Sequence, residues 1–529
     1  MRLTVATASL TLALAAVCAQ AQQSPQARLP DIGSSANEVL GPTQQAEYGA
    51  MLLAQLRQYG YTLDDPLIDA WLQSVGSRLV AASDKPDHPF TFFMLRDRQF
   101  NAFATLGGYI GVNAGLVLAA ESEDEVASVL AHEVAHVTQT HVLRSVERAQ
   151  KDSVPILLAM LGAIALAQAA DSNSSDDASM AAIASAQGLM AQRQINYTRE
   201  NEAEADRLGI RTLARSGYDP NAMASMFARM QAVSRINQGG ERERAPDYLR
   251  THPVTTTRIS EVKERAEAMA RATPGVRAQP DPNGRNPLLP AGLSIDDSAA
   301  RGGDPVQFGW VRERIRVFSA NTPDAAVREY ERRRASAPLD DASQYGLAIA
   351  LLQHGDYARA LRELDGLLGR HPGDPWLVIA AAEAEARSGK LVAADARLSA
   401  QMARMPGHRP TALSWAALLS ERNTPEAGRQ AQSLLRPLMT AAKDDPIFQR
   451  TFARASEVAG DQVRAGEAYA EAELLFGRPE RALVQLNTLL KRPDLDYYAR
   501  ARIEARIEAI TPQVLELRRQ GIRDEVLRR

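Results

Sequence analysis

Only one cysteine, Cys18, occurs in 529 residues, and it sits inside the leader described below. Once that leader is removed the chain has no thiol, which excludes disulfides even in an oxidising compartment. An excess of charge is missing too: 61 Lys and Arg face 64 Asp and Glu, a net charge of -3. That balance gives no electrostatic case for nucleic acid, and no basic run with interleaved aromatics revives one. Partners are therefore expected to be proteins. Nor is there a clear membrane span. The uncharged run Val154 to Ala170 has 17 residues, which as a helix covers about 26 Å against a hydrocarbon core of about 30 Å. With Pro155 and Gln168 inside it, the run reads as a buried helix or hairpin. The alternative is a lid that touches substrate or makes peripheral membrane contact. The polar residues Asp171 to Asp177 after it read as a flap tip.

What the chain does have begins with a secretory leader. Met1-Arg2-Leu3 opens an apolar, alanine-rich stretch to Cys18, and Ala19-Gln20-Ala21 satisfies the small-x-small rule, so residues 1–21 read as a signal peptide. A lipoprotein needs a small residue before the cysteine, and Val17 fits that badly. The mature chain is expected outside the cytoplasm. At 529 residues it exceeds what one core supports, so two or three domains are expected. Pro274, Pro280, Pro282, Pro287, Pro290, Gly302 and Gly303 mark residues 273–305 as a linker between a first unit, 22–272, and a second, 306–529.

The first unit carries the chemistry. His132-Glu133-Val134-Ala135-His136 lies in a run from Glu125 to Val137 of good helix formers without Pro or Gly. The acidic residues Glu121 to Glu125 before it suit the first turn of a helix. Residues four apart share a helical face, so two imidazoles can meet one zinc ion, with Glu133 as the base that takes a proton from an activated water. A catalytic zinc needs a third protein ligand. The metzincin spacing would put histidine at 142 and glycine at 139, where Val142 and Gln139 stand. His141 lies about 140 degrees around the helix from His136 and reads as a surface or outer-layer residue. Further on, Glu202 and Asp206 share one face of a helix from Tyr197 to Ser216 capped by Gly217. Glu202 can ligate the metal while Asp206 accepts the outer N–H of a ligand histidine, a gluzincin-like arrangement. Ala203 and Ala205 would let that helix approach closely. Glu200 and Glu204 are rivals, Glu204 pointing roughly 200 degrees away and toward solvent. Phe90 to Leu95 and Gly108 to Val112 are strand-like, making the unit α+β. Gly107-Gly108-Tyr109-Ile110 is a candidate edge for an extended peptide, and the stabiliser of the oxyanion is left open among His252, Tyr197 and Arg258.

The second unit is repetitive. Gly355-Asp356-Tyr357, Ala360 and Pro372 fit the turn, close contact and terminator of a tetratricopeptide repeat, and Gly389 and Pro406 follow Gly355 and Pro372 by 34 residues each. Further units begin near Asn423 and Gly460-Asp461. Four units suffice for an all-α solenoid with a surface for other proteins.

These motifs, with Asn101-Ala102-Phe103-Ala104, Gly107-Gly108, Asn201 to Arg207 and Thr251 to Ile259, resemble the HtpX/Oma-type peptidase family. The resemblance implies a periplasmic zinc metalloendopeptidase, an α+β gluzincin domain followed by a tetratricopeptide solenoid, with one Zn2+ per subunit. His132, His136 and Glu202 would be ligands and Glu133 the general base. His252, in a His-Pro loop, would be a fourth ligand that keeps water out. The same resemblance implies work on misfolded or stalled outer-membrane β-barrel proteins near the β-barrel assembly machinery. A chaperone or adaptor that acts mainly through its solenoid, with the zinc site masked, is the second expectation.

Overall fold

The computed structural model describes residues 40–145, 147–148, 175–236, 248, 252–272 and 302–519. The expected leader, the 154–170 run and nearly all of the 273–305 stretch lie outside the described residues. The segment expected as a flap tip is helical from Ser175 onward.

Helix α1 (Pro42–Gln58) leads to α2 (Pro66–Ala82), whose start is fixed by Asp65. Its carboxylate accepts the amides of Leu67 and Ile68, both at 3.1 Å, and Pro66 occupies the first turn where no amide is needed. Leu67, Ile68, Trp71, Leu72, Val75 and Leu79 then bury one face. The sheet has three strands: β1 (Thr91–Leu95), β2 (Ala102–Ala104) and β3 (Tyr109–Asn113). Their order is β1-β3-β2, with β3 parallel to β1 and antiparallel to β2. Short α3 (Ala114–Ala119) precedes α4 (Glu123–Thr138), capped by Ser122. Helix α4 is buried on nearly every side, packed by α5 (Ser175–Arg215), α6 (Asn221–Ile236), α2 and the sheet. A helix so enclosed has to satisfy its polar side chains from its neighbours. Helix α7 (Thr256–Ala272) completes the unit against α5 and α6.

From α8 (Pro305–Phe318) to Arg519 the described chain is helical hairpins. The turn residues singled out by the repeat are the ones that reverse the chain: Gly355, Gly389, Asn423 and Gly460 all have φ between 55° and 94°. Asp356 and Asp461 then cap the helices that follow, accepting the amides of Arg359 and Arg464.

The two units share one core. Trp71 of α2 meets Phe308 of α8 at 6.3 Å between ring centres, within a single apolar cluster that runs on into the repeats. At its heart Arg314 donates to both oxygens of Asp65, at 3.0 and 2.7 Å, and to the Tyr345 hydroxyl at 3.2 Å. Farther along, Arg409 pairs with Asp69 at 3.1 Å and Arg57 donates to the Leu475 carbonyl at 3.3 Å.

Candidate metal centre

Three elements deliver the site. Helix α4 supplies His132, Glu133 and His136; α5 supplies Glu202 and Asp206; the turn before α7 supplies His252. The close approach of α5 to α4 is made by Gly209, where a Cβ would lie 3.1 Å from the His132 Cα. Ala205 is buried there, but Ala203 faces solvent, which corrects the expected role of that alanine.

The Nε2 atoms of His132 and His136 stand 3.0 Å apart. Glu202 lies 3.4 Å from each, Oε2 toward His132 and Oε1 toward His136. His252 closes the group with its Nδ1 2.8 Å from Glu202 Oε1. One donor atom from each of these four residues lies within 4.8 Å of all the others. Two ring nitrogens at such a distance share either a proton or a cation. Imidazole and carboxylate donors in this number suit a divalent metal. Glu133 fits it too: it is 1% exposed, yet neither carboxylate oxygen has a hydrogen-bond partner. A buried carboxylate left so needs a further polar group in the space it faces. The His252 Nε2 lies 3.9 Å from the Glu133 Oε1.

An outer layer holds these side chains. Asp206 Oδ1 is 3.0 Å from His132 Nδ1, and Arg258 grips Asp206 with two bonds of 2.7 Å. Arg258 also reaches Glu202 Oε2 at 2.9 Å and the Pro253 carbonyl at 2.8 Å. His141 is buried, not at the surface, with its Nδ1 2.8 Å from His136 Nδ1. Glu204 is not free in solvent either: it pairs with His141 and Arg144, both at 3.1 Å. Glu200 lies 3.9 Å from Arg148 at the exposed rim.

The electrostatics follow from burial and pairing. Burial disfavours a charge on His132, but Glu202 and Asp206 outweigh it and hold a proton there up to about 10. The same field favours a metal cation in the proton's place. Burial pushes His136 down, helped by the charge on His132. Burial would raise Glu202, yet His132, with hydrogen bonds from His136 and His252, holds it well below the usual carboxylate range.

The structure separates the oxyanion candidates. Arg258 is spent on Asp206, Glu202 and Pro253; His252 lies in the donor group. Tyr197 is buried, with its ring beneath the Arg148 guanidinium at 4.8 Å. Tyr248, which sequence reasoning missed, stacks on the His252 ring at 4.6 Å, and its carbonyl accepts the His252 amide at 2.7 Å. An aromatic four residues before a histidine was the available signal.

Gly107, Gly108 and Tyr109 do not form a receiving edge. Strand β3 is the middle strand, paired on both sides. Gly107 and Gly108 have φ of 72° and 81°, and a Cβ would come 2.6 Å from the Gln45 carbonyl or 2.1 Å from that of Pro89. They let the loop press on its surroundings, and the Tyr109 ring lies where a side chain at Gly49 of α1 would be. The outer strands are β1 and β2, and β2 is the one beside α4. Bonds from Asn113 N to Asn101 O and from Thr105 N to Tyr109 O turn the backbone of residues 101 and 105 toward β3, and so turn that of Ala102 and Ala104 away from it, Ala102 fully buried and Ala104 partly open.

Residues 66–266 match the model of peptidase family M48, and residues 351–419 match a tetratricopeptide repeat. A Vibrio cholerae protein is 36% identical over 367 residues, covering 69% of this chain and 68% of its own. A Yersinia pestis protein is 30% identical over 483 residues, 91% of each chain. The second is a β-barrel assembly-enhancing protease, and the first carries that name provisionally. A mitochondrial metalloendopeptidase of Schizosaccharomyces pombe is 28% identical over 200 residues, 37% of this chain and 52% of its own.

Proposed function

This chain belongs to peptidase family M48, a metallopeptidase unit followed by tetratricopeptide repeats, and from that premise we propose a zinc endopeptidase of the bacterial envelope that acts on outer-membrane β-barrel proteins. The observation that carries it is the convergence of four donor atoms within 4.8 Å beside a buried Glu133 whose oxygens are both unpartnered. His132, His136 and Glu202 would hold the metal, as three protein ligands suit a catalytic site, with His252 filling the fourth position in the resting protein. When bound, zinc supplies Lewis acidity that polarises a carbonyl and makes water acidic.

The chain's own residues do the rest. Glu133 takes the proton from the attacking water and returns it to the leaving amine. Asp206 keeps His132 in the tautomer whose Nε2 faces the site, and Arg258 fixes Asp206. An extended client would add to β2 at Ala104, where the strand is open, bringing a peptide bond toward α4. Periplasmic location is supported by the leader-like N-terminus and by the names of the relatives. Among the described residues no helix is long and apolar enough to cross a membrane. The repeats, packed on the peptidase core, would bring misassembled barrels or the assembly machinery to the site.

The position of His252 in the donor group favours a second reading, in which the site stays masked and the protein acts mainly as a chaperone or adaptor. One comparison separates the two. With Glu133→Gln, metal content should persist while cleavage of an unfolded substrate is lost, and the variant should fail to restore envelope integrity in a deletion strain. Full restoration supports the adaptor; cleavage that survives both the substitution and a chelator overturns the peptidase.

A further inference from the structure

We infer that His141 is a positioning residue for the metal site, the middle of a relay that runs from Glu204 through the His141 imidazole to His136. The inference rests on the metal-site reading above, and its geometry comes from the backbone upward. Helix α4 ends at Thr138, and Thr140 adopts φ 54°, the left-handed region that a β-branched residue seldom enters. The chain reverses at this residue. It turns His141 back beneath His136, where a continued helix would have carried it about 140 degrees away.

The tautomers follow from atom positions. His136 turns Nε2 toward His132 and Glu202, 3.0 and 3.4 Å away. To offer that nitrogen's lone pair to a metal, a neutral His136 must carry its proton on Nδ1. Nδ1 faces His141 Nδ1 at 2.8 Å, so the latter has to accept, which puts the His141 proton on Nε2. That N–H points at Glu204 Oε2, 3.1 Å away, and Arg144 Nη1 donates to the same oxygen at 3.1 Å. Each bond dictates the next. His132 reaches its carboxylate, Asp206, directly; His136 reaches Glu204 through one inserted ring, because Glu204 lies on a different face of α5. His141 is 2% exposed, so water does not substitute for it.

The test is zinc affinity of the mature chain by competition with a chromophoric chelator, together with the Nδ1 and Nε2 shifts of His136 by 15N NMR. His141→Phe keeps the shape and removes the acceptor; His141→Asn sets Oδ1 near the position of Nδ1 and keeps it. Loss of an outer-layer partner weakens metal binding about 10–100-fold. His141→Phe should show that loss and a broadened His136 Nδ1 proton, while His141→Asn stays near the parent value. Glu204→Gln should weaken binding in the same direction, and adding it to His141→Phe should cost little more. Equal weakening by Phe and Asn would reduce His141 to packing and overturn the relay, as would parent-like affinity in a folded His141→Phe. If His136→Ala also binds like the parent, the metal-site reading itself fails.

Discussion

Replacing Arg314 by methionine should loosen both units of the protein at once. The guanidinium is buried between α8 and α2, and Asp65, against the cost of burial, holds it firmly charged. Removing one member of such a pair costs about 3–5 kcal/mol, mostly from the charge left behind. Which end of that range applies depends on what the survivor keeps. After Arg314→Met, Asp65 still accepts the amides of Leu67 and Ile68, so a loss of about 3 kcal/mol is expected. After Asp65→Ala the guanidinium keeps the Tyr345 hydroxyl and the Phe318 ring but no anion, and α2 loses its cap, so a loss of about 5 kcal/mol is expected. Asp65→Asn with Arg314→Met leaves no buried charge and should lose less than the two single changes summed. Urea unfolding of the mature chain, followed by tryptophan fluorescence and by peptidase activity, measures this. Both signals should shift together for Arg314→Met. A loss below about 1 kcal/mol, or a shift in one signal alone, would refute the shared core.

Three further outcomes follow from the same contacts. Gly209→Val places a branched side chain 3.1 Å from the His132 backbone, so α5 should move off and zinc affinity fall about tenfold, with about 1–3 kcal/mol of stability lost to overpacking. Unchanged affinity would mean that Glu202 is not held by this approach. Burial, only partly offset by Arg409, raises Asp69 to about 6. The folded state therefore keeps a proton that the unfolded chain has lost, and stability should fall as pH rises from about 4 to about 6. In Asp69→Asn that slope should shrink, as urea midpoints at pH 4.5 and 7 would show; an unchanged slope assigns it elsewhere. His252→Ala should raise kcat/KM on an unstructured peptide, because the ring occupies the donor group; a fall would mean that the ring serves the transition state instead.

How much of this was legible in the sequence depended on whether a signal was local. His132 and His136 meet because four residues are one helical turn, and Glu202 with Asp206 follows the same rule on α5. The solenoid was visible for a similar reason, since Gly355, Gly389 and Gly460 mark turns that need a left-handed residue. Strand pairing left no such mark. Alternation announces β3 but not that β2 and β1 flank it, so Gly107 to Tyr109 reads as an edge where the fold makes β3 the middle strand. The three-residue β2 was too short to signal at all. Of the two places open to His141, surface or outer layer, the structure takes the second, because Thr140 ends the helix with a left-handed turn that nothing in its side chain announces. Asp65 and Arg314 stand 249 residues apart, and only the folded core brings them together.

His132, His136, Glu202 and His252 should converge on one metal ion. Zinc K-edge absorption of the mature chain loaded with one equivalent of zinc tests it directly. Three imidazoles and one carboxylate are predicted at about 2.0–2.2 Å, with one imidazole lost in His252→Ala and another in His136→Ala. An unchanged spectrum in either variant, or one dominated by water ligands, would contradict the account.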